Sequence, residues 1–208
     1  MSTAERRPSA ATAGILLAGG RGRRFDPSGR RDKLRQALPQ GEAVAVAAAR
    51  NMLSVLPTVV AVVRHDNPEL ALQLQQAGCA VSLCAASDRG MAASLAHGLT
   101  QAWDATAWII ALADMPYVRT STIEAVRDAL DHGADIAVPV WNGRRGNPVG
   151  FGRLHLDALM RLQGDEGARS LLKTWPVVEV PVHDAGIARD VDTPDDLLAG
   201  GEPQALAR

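Results

Sequence analysis

Apolar positions along the chain fall into short runs separated by amphipathic stretches. Ala13–Ala18 (AGILLA) and Trp108–Ala113 (WIIALA) are unbroken apolar runs too short for stable helices, and each predicts a buried strand. Thr58–Arg64 (TVVAVVR) predicts another through its β-branched residues, and Ala80–Cys84 and Asp135–Val140 are shorter candidates. Val177–Val182 alternates, and Pro181 cannot donate to a ladder, so this strand belongs at an edge. Helical patterns fill the gaps. Glu42–Leu56 carries Val44, Ala48, Met52 and Val55 along one side, and Pro68–Ala77, Met91–Ala102 and Ser121–His132 follow. Gly78 and Gly133 stand where helices end. Strand–helix alternation of this kind predicts an α/β fold with a doubly wound, mainly parallel sheet. It forms one domain over residues 12–199, with a flexible leader at 1–11 and a loose tail at 200–208.

Composition narrows the classes. The 208 residues are 47% hydrophobic and 22% charged, an ordinary globular balance for a single sizeable core. A net charge of −1 and only 3% aromatic residues argue against nucleic acid as a partner. The first apolar run, Ile15–Ala18, is far too short to span a membrane. Cys79 and Cys84 lie in one apolar stretch with neither metal-ligand nor disulfide spacing, which fits a reduced, cytoplasmic setting. The five histidines are scattered without metal spacing.

The chemistry sits where two strands end. The first runs into Gly19-Gly20-Arg21-Gly22-Arg23-Arg24, and the fourth into Asp114-Met115-Pro116. Ligands of doubly wound sheets bind beyond the carboxyl ends of strands, where strand order switches. If the first and fourth strands are neighbours, both ends face one crevice. Glycines let backbone N–H groups approach phosphate, and arginine adds charge in a fork that suits it. Lys33 follows within reach of an α- or β-phosphate. The loop lacks both a following G-K-[ST] and a G-x-G-x-x-G spacing, so it is neither a P-loop nor a dinucleotide fingerprint. Its bland reading is a solvated turn. Asp114 closes an apolar strand, where a carboxylate is costly unless paired or bound to a cation; the alternative is a helix cap, for which Thr120 or Ser121 is better placed. In Asp190–Asp196, Thr193 as N-cap, Pro194 at N1 and Asp195 and Asp196 in the first turn need no function, which leaves Asp190 or Asp192 to face a cation.

Taken together and in order, these segments resemble the molybdenum-cofactor nucleotidyltransferases, of the nucleotide-diphospho-sugar-transferase-like superfamily. LAGGRGRRF with Lys33 resembles that family's signature loop, and GMAASL (Gly90–Leu95) its GMxxSL segment. LADMP (Leu112–Pro116) resembles its metal-binding strand end, GNPVGF (Gly146–Phe151) its acceptor-side G-x-P segment, GDEGAR (Gly164–Arg169) its GDxGAR turn, and DVDTPDDL (Asp190–Leu197) its C-terminal motif. The resemblance spans about residues 13 to 198. GMAASL, GDEGAR and DVDTPDDL point to its cytidylyl branch. Gly20 makes the loop LAGG, more typical of the guanylyl branch than the usual cytidylyl LAAG, and the loop from Phe25 to Asp32 is longer than the family's spacing.

The resemblance implies a Mg²⁺-dependent, Rossmann-like enzyme that transfers CMP from CTP to the phosphate of a molybdopterin-type acceptor and releases pyrophosphate. A molybdoenzyme or its chaperone is an implied partner. It further implies Lys33 and Arg24 as catalytic residues, and Asp114 with Asp192 as metal ligands. Nucleotide binding falls to Leu17, Ala18, Gly19, Gly20 and Arg21, with Arg89 and Ser94 at base or ribose; Ser94 has the alternative of facing the sheet. Asn147, Pro148 and Arg169 lie on the acceptor side, with Arg169 alternatively pairing with Asp165 or Glu166. The competing readings are a guanylyltransferase using GTP, another small-molecule NTP transferase, and a non-enzymatic cofactor-delivery chaperone.

Overall fold

The computed structural model describes residues 11–198. The expected tail, 200–208, and all of the expected leader except Ala11 lie outside the described residues. The sheet is built from β1 (Thr12–Ala18), β2 (Val59–Arg64), β3 (Ala80–Cys84), β4 (Ala107–Leu112), β5 (Ile136–Trp141), β6 (Arg144–Arg145), β7 (Val149–Gly152) and β8 (Val178–Pro181). The helices are α1 (Val44–Leu53), α2 (Pro68–Gln76), α3 (Met91–Gln101), α4 (Thr120–Asp131), α5 (Leu156–Met160) and α6 (Pro194–Leu198).

Strand order is β3-β2-β1-β4-β7-β5-β6, with β8 paired to β5. The first three strands run outward from β1 to β3, and the chain then crosses back to lay β4 against β1 in parallel, Leu17 beside Leu112. That reversal puts the switch in strand order between β1 and β4, so the glycine loop and Asp114 leave the sheet side by side. Every residue of β1 is buried. Alternate side chains point to opposite faces: Leu16 and Ala18 pack with α1, α2 and α4, whereas Ile15 and Leu17 pack with α3 and α5. The α3 helix comes close enough that a Cβ on Gly98 would lie 2.7 Å from Val62 and 2.8 Å from Ile15.

Most elements stand where the pattern puts them, including Gly78 and Gly133, which follow α2 and α4 with φ of 108° and 95°. Three differences matter. The Gly146–Phe151 segment forms a strand: β7 inserts antiparallel between β4 and β5, fully buried from Val149 to Phe151. Its two glycines masked the pattern; Gly150 sits under Val126 and Leu130 of α4, where a side chain would not fit. The Trp141–Gly146 stretch forms a hairpin, turned by Asn142 and Gly143, both at positive φ. Helix α4 is not capped by Thr120 or Ser121. Its cap residue is Arg119, and the carboxylate of Asp184, 65 residues away, accepts from the Arg119 N–H at 2.8 Å.

Asp184 is 2% exposed and also accepts from Thr122 Oγ1 at 2.6 Å and the Gly186 N–H at 2.8 Å. It ties the C-terminal segment to the start of α4. Asp184→Ala leaves those donors buried and unpaired and is expected to lower stability by about 3 kcal/mol in urea unfolding. A loss under about 1 kcal/mol would show that water replaces the carboxylate there.

Candidate active site

Beyond the carboxyl ends of β1 and β4 lies a cavity of about 590 Å³, lined by Gly19, Gly20, Arg21 and Arg23 from the glycine loop, Ser87, Asp88, Gly90, Met91 and Ser94 on the α3 side, and Asp114. Each wall has a local cause. The glycine loop turns back on itself, with Phe25 and Asp26 donating to the Gly22 carbonyl and Phe25 buried beneath. Asp32 then caps a 3-10 turn at Lys33–Arg35, accepting from the Leu34 N–H at 3.0 Å and from Asn67 Nδ2 at 2.6 Å. These contacts take up the long Phe25–Asp32 connection and return Lys33 to the strand ends. Gly22 packs on the Lys33 methylenes, where its missing Cβ would lie 3.2 Å away.

Lys33 is 6% exposed, and its ammonium donates to Asp114 Oδ2 at 2.7 Å and to Asp192 Oδ1 at 3.1 Å. Arg24, extended through solvent, pairs with Asp192 Oδ2 at 2.6 Å. Asp192 is delivered by backbone: the Val191 N–H donates to the Asp114 carbonyl at 2.8 Å. Asp196, in the first turn of α6, accepts from the N–H groups of Asp192 and Thr193. Asp114 Oδ1 is buried and has no hydrogen-bond partner. An orphaned buried carboxylate oxygen beside a second carboxylate, at the edge of the crevice, suits a hard divalent cation that completes its shell with substrate and water oxygens. Among the described residues no group of three or more His, Cys, Asp or Glu converges on a metal position. Any cation here therefore relies on ligand oxygens.

A family model described as "MobA-like NTP transferase domain" matches residues 14–180. The chain belongs to the MobA-like NTP transferase family. It is a nucleotidyltransferase. It is 27% identical over 197 residues to "Purine catabolism protein PucB" of Bacillus subtilis strain 168, covering 88% of this chain and 92% of that protein. Rv0371c of Mycobacterium tuberculosis, solved in complex with manganese, shares 26% identity with a TM-score of 0.70, over 92% of this chain and all of that one. The molybdopterin-guanine dinucleotide biosynthesis protein A of Archaeoglobus fulgidus shares the fold at 21% identity and a TM-score of 0.65, over 89% and 94% of the two chains.

In this MobA-like transferase, Leu17, Gly19, Gly20, Arg21 and Ser94 all line the crevice. Ser94 is 3% exposed and faces Gly19, so it serves both the packing and the cavity wall. Two expected residues line other cavities, and Ala18 turns its side chain into the core on the α1 side, which leaves only its backbone to the expected nucleotide cradle. Arg89 opens onto a separate groove with Cys84 and His97, because the 3-10 turn at Ser87–Arg89 gives the crevice Ser87 and Asp88 instead. Pro148 lines a small internal void beside Asn51 and Met52 rather than the acceptor side. Asn147 and Arg169 do meet, in a smaller cavity of about 230 Å³ that shares Leu17, Met91, Leu112 and Asp165 with the crevice. Arg169 donates to the Arg145 carbonyl at 3.0 Å, not to Asp165 or Glu166.

Two residues join the site that the sequence reading did not place there. Asp88 binds Arg21 through both carboxylate oxygens at 2.6 Å, across the crevice mouth. Asp165 lines both cavities at their junction. Its turn is pinned to α3: the Gly164 carbonyl accepts from the Ala92 N–H at 3.0 Å, and a Cβ on Gly90, whose φ is 111°, would collide with that carbonyl. The GDEGAR spelling flagged the turn; nothing in the polar run Ser87-Asp88-Arg89 distinguished Asp88 from a helix cap.

The charges are mutually dependent. Burial works to lower the Lys33 ammonium, but the Asp114 charge and the bonds to Asp114 and Asp192 outweigh it and hold the group above its ordinary value. Burial works to raise Asp192, and the bonds and charges of Lys33, Asp190 and Arg24 bring it below the usual carboxylate range. Asp190 is pushed up, by burial and then by its bond to Asp192, which favours its protonated form. A raised lysine contributes stability that is fully present below the unfolded value of about 10.4 and is lost as pH rises through the folded value. The sequence has two lysines, Lys33 and Lys173, so an NMR titration of the lysine side chains resolves each. Lys33 is expected to titrate above about 10.4 in the wild type and lower in Asp114→Asn. An unchanged midpoint in that variant would remove Asp114 as the source of the shift.

Proposed function

We propose that this transferase moves CMP from CTP to the terminal phosphate of a molybdopterin-type acceptor in a Mg²⁺-dependent reaction in the cytoplasm. The reading is carried by one observation, the Lys33 ammonium shared by Asp114 and Asp192 at the edge of a crevice opened by a glycine loop. The match of GMAASL, GDEGAR and DVDTPDDL to the cytidylyl branch supports the choice of acceptor and nucleotide. The manganese complex of Rv0371c supports a divalent cation. Residues 12–199 act as one unit.

The chemistry is an in-line displacement. An oxygen of the acceptor phosphate forms a bond to the α-phosphorus of the nucleotide, the bond to the bridging β-phosphate oxygen breaks, and pyrophosphate leaves. A phosphate monoester is largely ionised near neutral pH, so the attacking oxygen needs no protein base. Backbone at Leu17, Gly19 and Gly20 cradles the nucleotide, with Arg21 and Arg23 over its phosphates. Lys33 and Arg24 neutralise charge that grows on the α-phosphate and the departing pyrophosphate. Asp114 and Asp192 hold Mg²⁺, which draws charge from the phosphate oxygens when bound. Ser94 contacts base or ribose. Asn147 and Arg169 hold the acceptor, whose cavity meets the nucleotide crevice at Asp165. Charge stabilisation and positioning supply the rate.

The second reading is GTP as donor, favoured by Gly20. Pyrophosphate release with Mg²⁺ and a molybdopterin-loaded acceptor, run with CTP and GTP in parallel, decides between them. Faster release with CTP is expected; a GTP preference moves the protein to the guanylyl branch with the same chemistry, and release with neither overturns the acceptor. Asp114→Ala is expected to abolish turnover with an unchanged circular dichroism spectrum, since its side chain supports no core packing. Wild-type rates in that variant would remove Asp114 from the site.

A further inference from the structure

The Asp114–Asp192 pair is already occupied by a side chain of the protein. Both carboxylate side chains are largely covered, with exposures of 23% and 18%, and the Lys33 side chain that reaches between them is more covered still at 7%. Two carboxylates so placed repel one another unless a cation lies between them. Lys33 is that cation, at 2.7 Å from one oxygen and 3.1 Å from the other. A divalent ion such as Mg²⁺ sits about 2.0–2.1 Å from its oxygens. It would need the same space and the same negative charge, so ammonium and metal compete. The one oxygen left over, Asp114 Oδ1, is a single ligand beside a fixed positive charge.

Lys33 has somewhere else to go. Its stem is held by Gly22 and by the Asp32-capped turn, so only the outer methylenes and the ammonium need swing toward the crevice that Asp114 lines. Of the arginines lining that crevice, Arg21 is bound by Asp88 and Arg23 stands exposed, so a triphosphate with several negative charges recruits the Lys33 ammonium as well.

We infer that Lys33 is the resident counter-cation of the Asp114–Asp192 pair, and that nucleotide phosphate opens this pair to the metal by drawing the ammonium away. Nucleotide and metal then bind with positive linkage, each strengthening the other by the same factor. A metal alone meets a filled site. A nucleotide alone leaves Asp114 without a cation and Asp192 with only the exposed Arg24. This order follows from one ammonium serving two anionic partners in turn, and it rests on the reading of Asp114 and Asp192 as metal ligands.

The test needs neither acceptor nor turnover. Binding of Mn²⁺ to the full chain, without nucleotide, is measured by electron paramagnetic resonance for the wild type, Lys33→Met, Lys33→Arg and the double variant Lys33→Met/Asp114→Asn. Lys33→Met is expected to bind Mn²⁺ at least about tenfold more tightly than the wild type. Lys33→Arg is expected to stay weak, and the double variant to lose the gain. Equal or weaker binding by Lys33→Met, or binding by Lys33→Arg as tight as by Lys33→Met, overturns the inference while leaving the metal assignment standing. Tight binding that survives in the double variant overturns the metal assignment itself. The wild type gives an independent reading should Lys33→Met not fold. With only two lysines in the sequence, the Lys33 ammonium resonance is identifiable. It is expected to stay in place on addition of Mg²⁺ alone and to move when a non-hydrolysable nucleotide is added with it. Movement with Mg²⁺ alone at the same concentration overturns the inference.

Discussion

One ammonium shared by two carboxylates organises this molecule's working end. Lys33 lies 81 residues from Asp114 and 159 from Asp192, so the cluster forms only when three distant parts of the chain are in place. A charge cluster that is partly buried holds together only while its members neutralise one another, and removing one leaves the others exposed to the desolvation they no longer offset. The backbone respects that condition. Asp114 follows β4, Val191 hydrogen-bonds the Asp114 carbonyl, and Asp32 caps the turn that carries Lys33. The backbone around each of the three charged residues is thus held in place.

The position of the cluster comes from the sheet. The crossover that sets β4 beside β1 brings two strand ends together at the reversal of strand order, and the cavity lies above them. Close packing keeps this geometry tight: α3 rests on β1 and β2 through Gly98, and its first turn is held by the Gly164 carbonyl at a point where Gly90 leaves no room for a side chain. That last contact matters for function. It fastens the turn bearing Asp165 to the helix bearing Ser94, so the walls of the larger crevice and of the smaller cavity share one support.

The antiparallel strand β7 helps shape the smaller cavity. It lies between β4 and β5, and Asn147 just before it is drawn in by a bond from its N–H to the Ile187 carbonyl. The C-terminal segment is therefore fastened twice on its way to Asp192, first to Asn147 and then to Asp114. Tyr117 adds a third hold, with Arg189 over its ring at 4.2 Å and its hydroxyl on the Asp196 carbonyl. One short stretch of chain, 187–192, thus ties Asn147 to the Asp114–Asp192 pair.

Hydrophobic period and turn chemistry alone determined the parallel strands and the four long helices, and a carboxylate closing an apolar run singled out Asp114; Lys33 was singled out by the glycine loop before it and by the family resemblance. An apolar run can hardly be anything but a buried strand when it is that short, and a carboxylate at its end demands a partner. Those are local constraints, legible without coordinates. The tertiary structure decided what alternation and long-range bonding control. Ala18 faces the core although it adjoins Gly19, because strand side chains alternate. Arg89 misses the crevice because a single tight turn presents Asp88 and Ser87 there instead. Strand β7 escaped notice because its glycines, required where α4 packs on it, erase the pattern that marks a strand. Asp184 caps a helix 65 residues away, and Arg21 meets Asp88 across 67. A sequence specifies such pairs only through the fold, since neither member carries a local sign of the other.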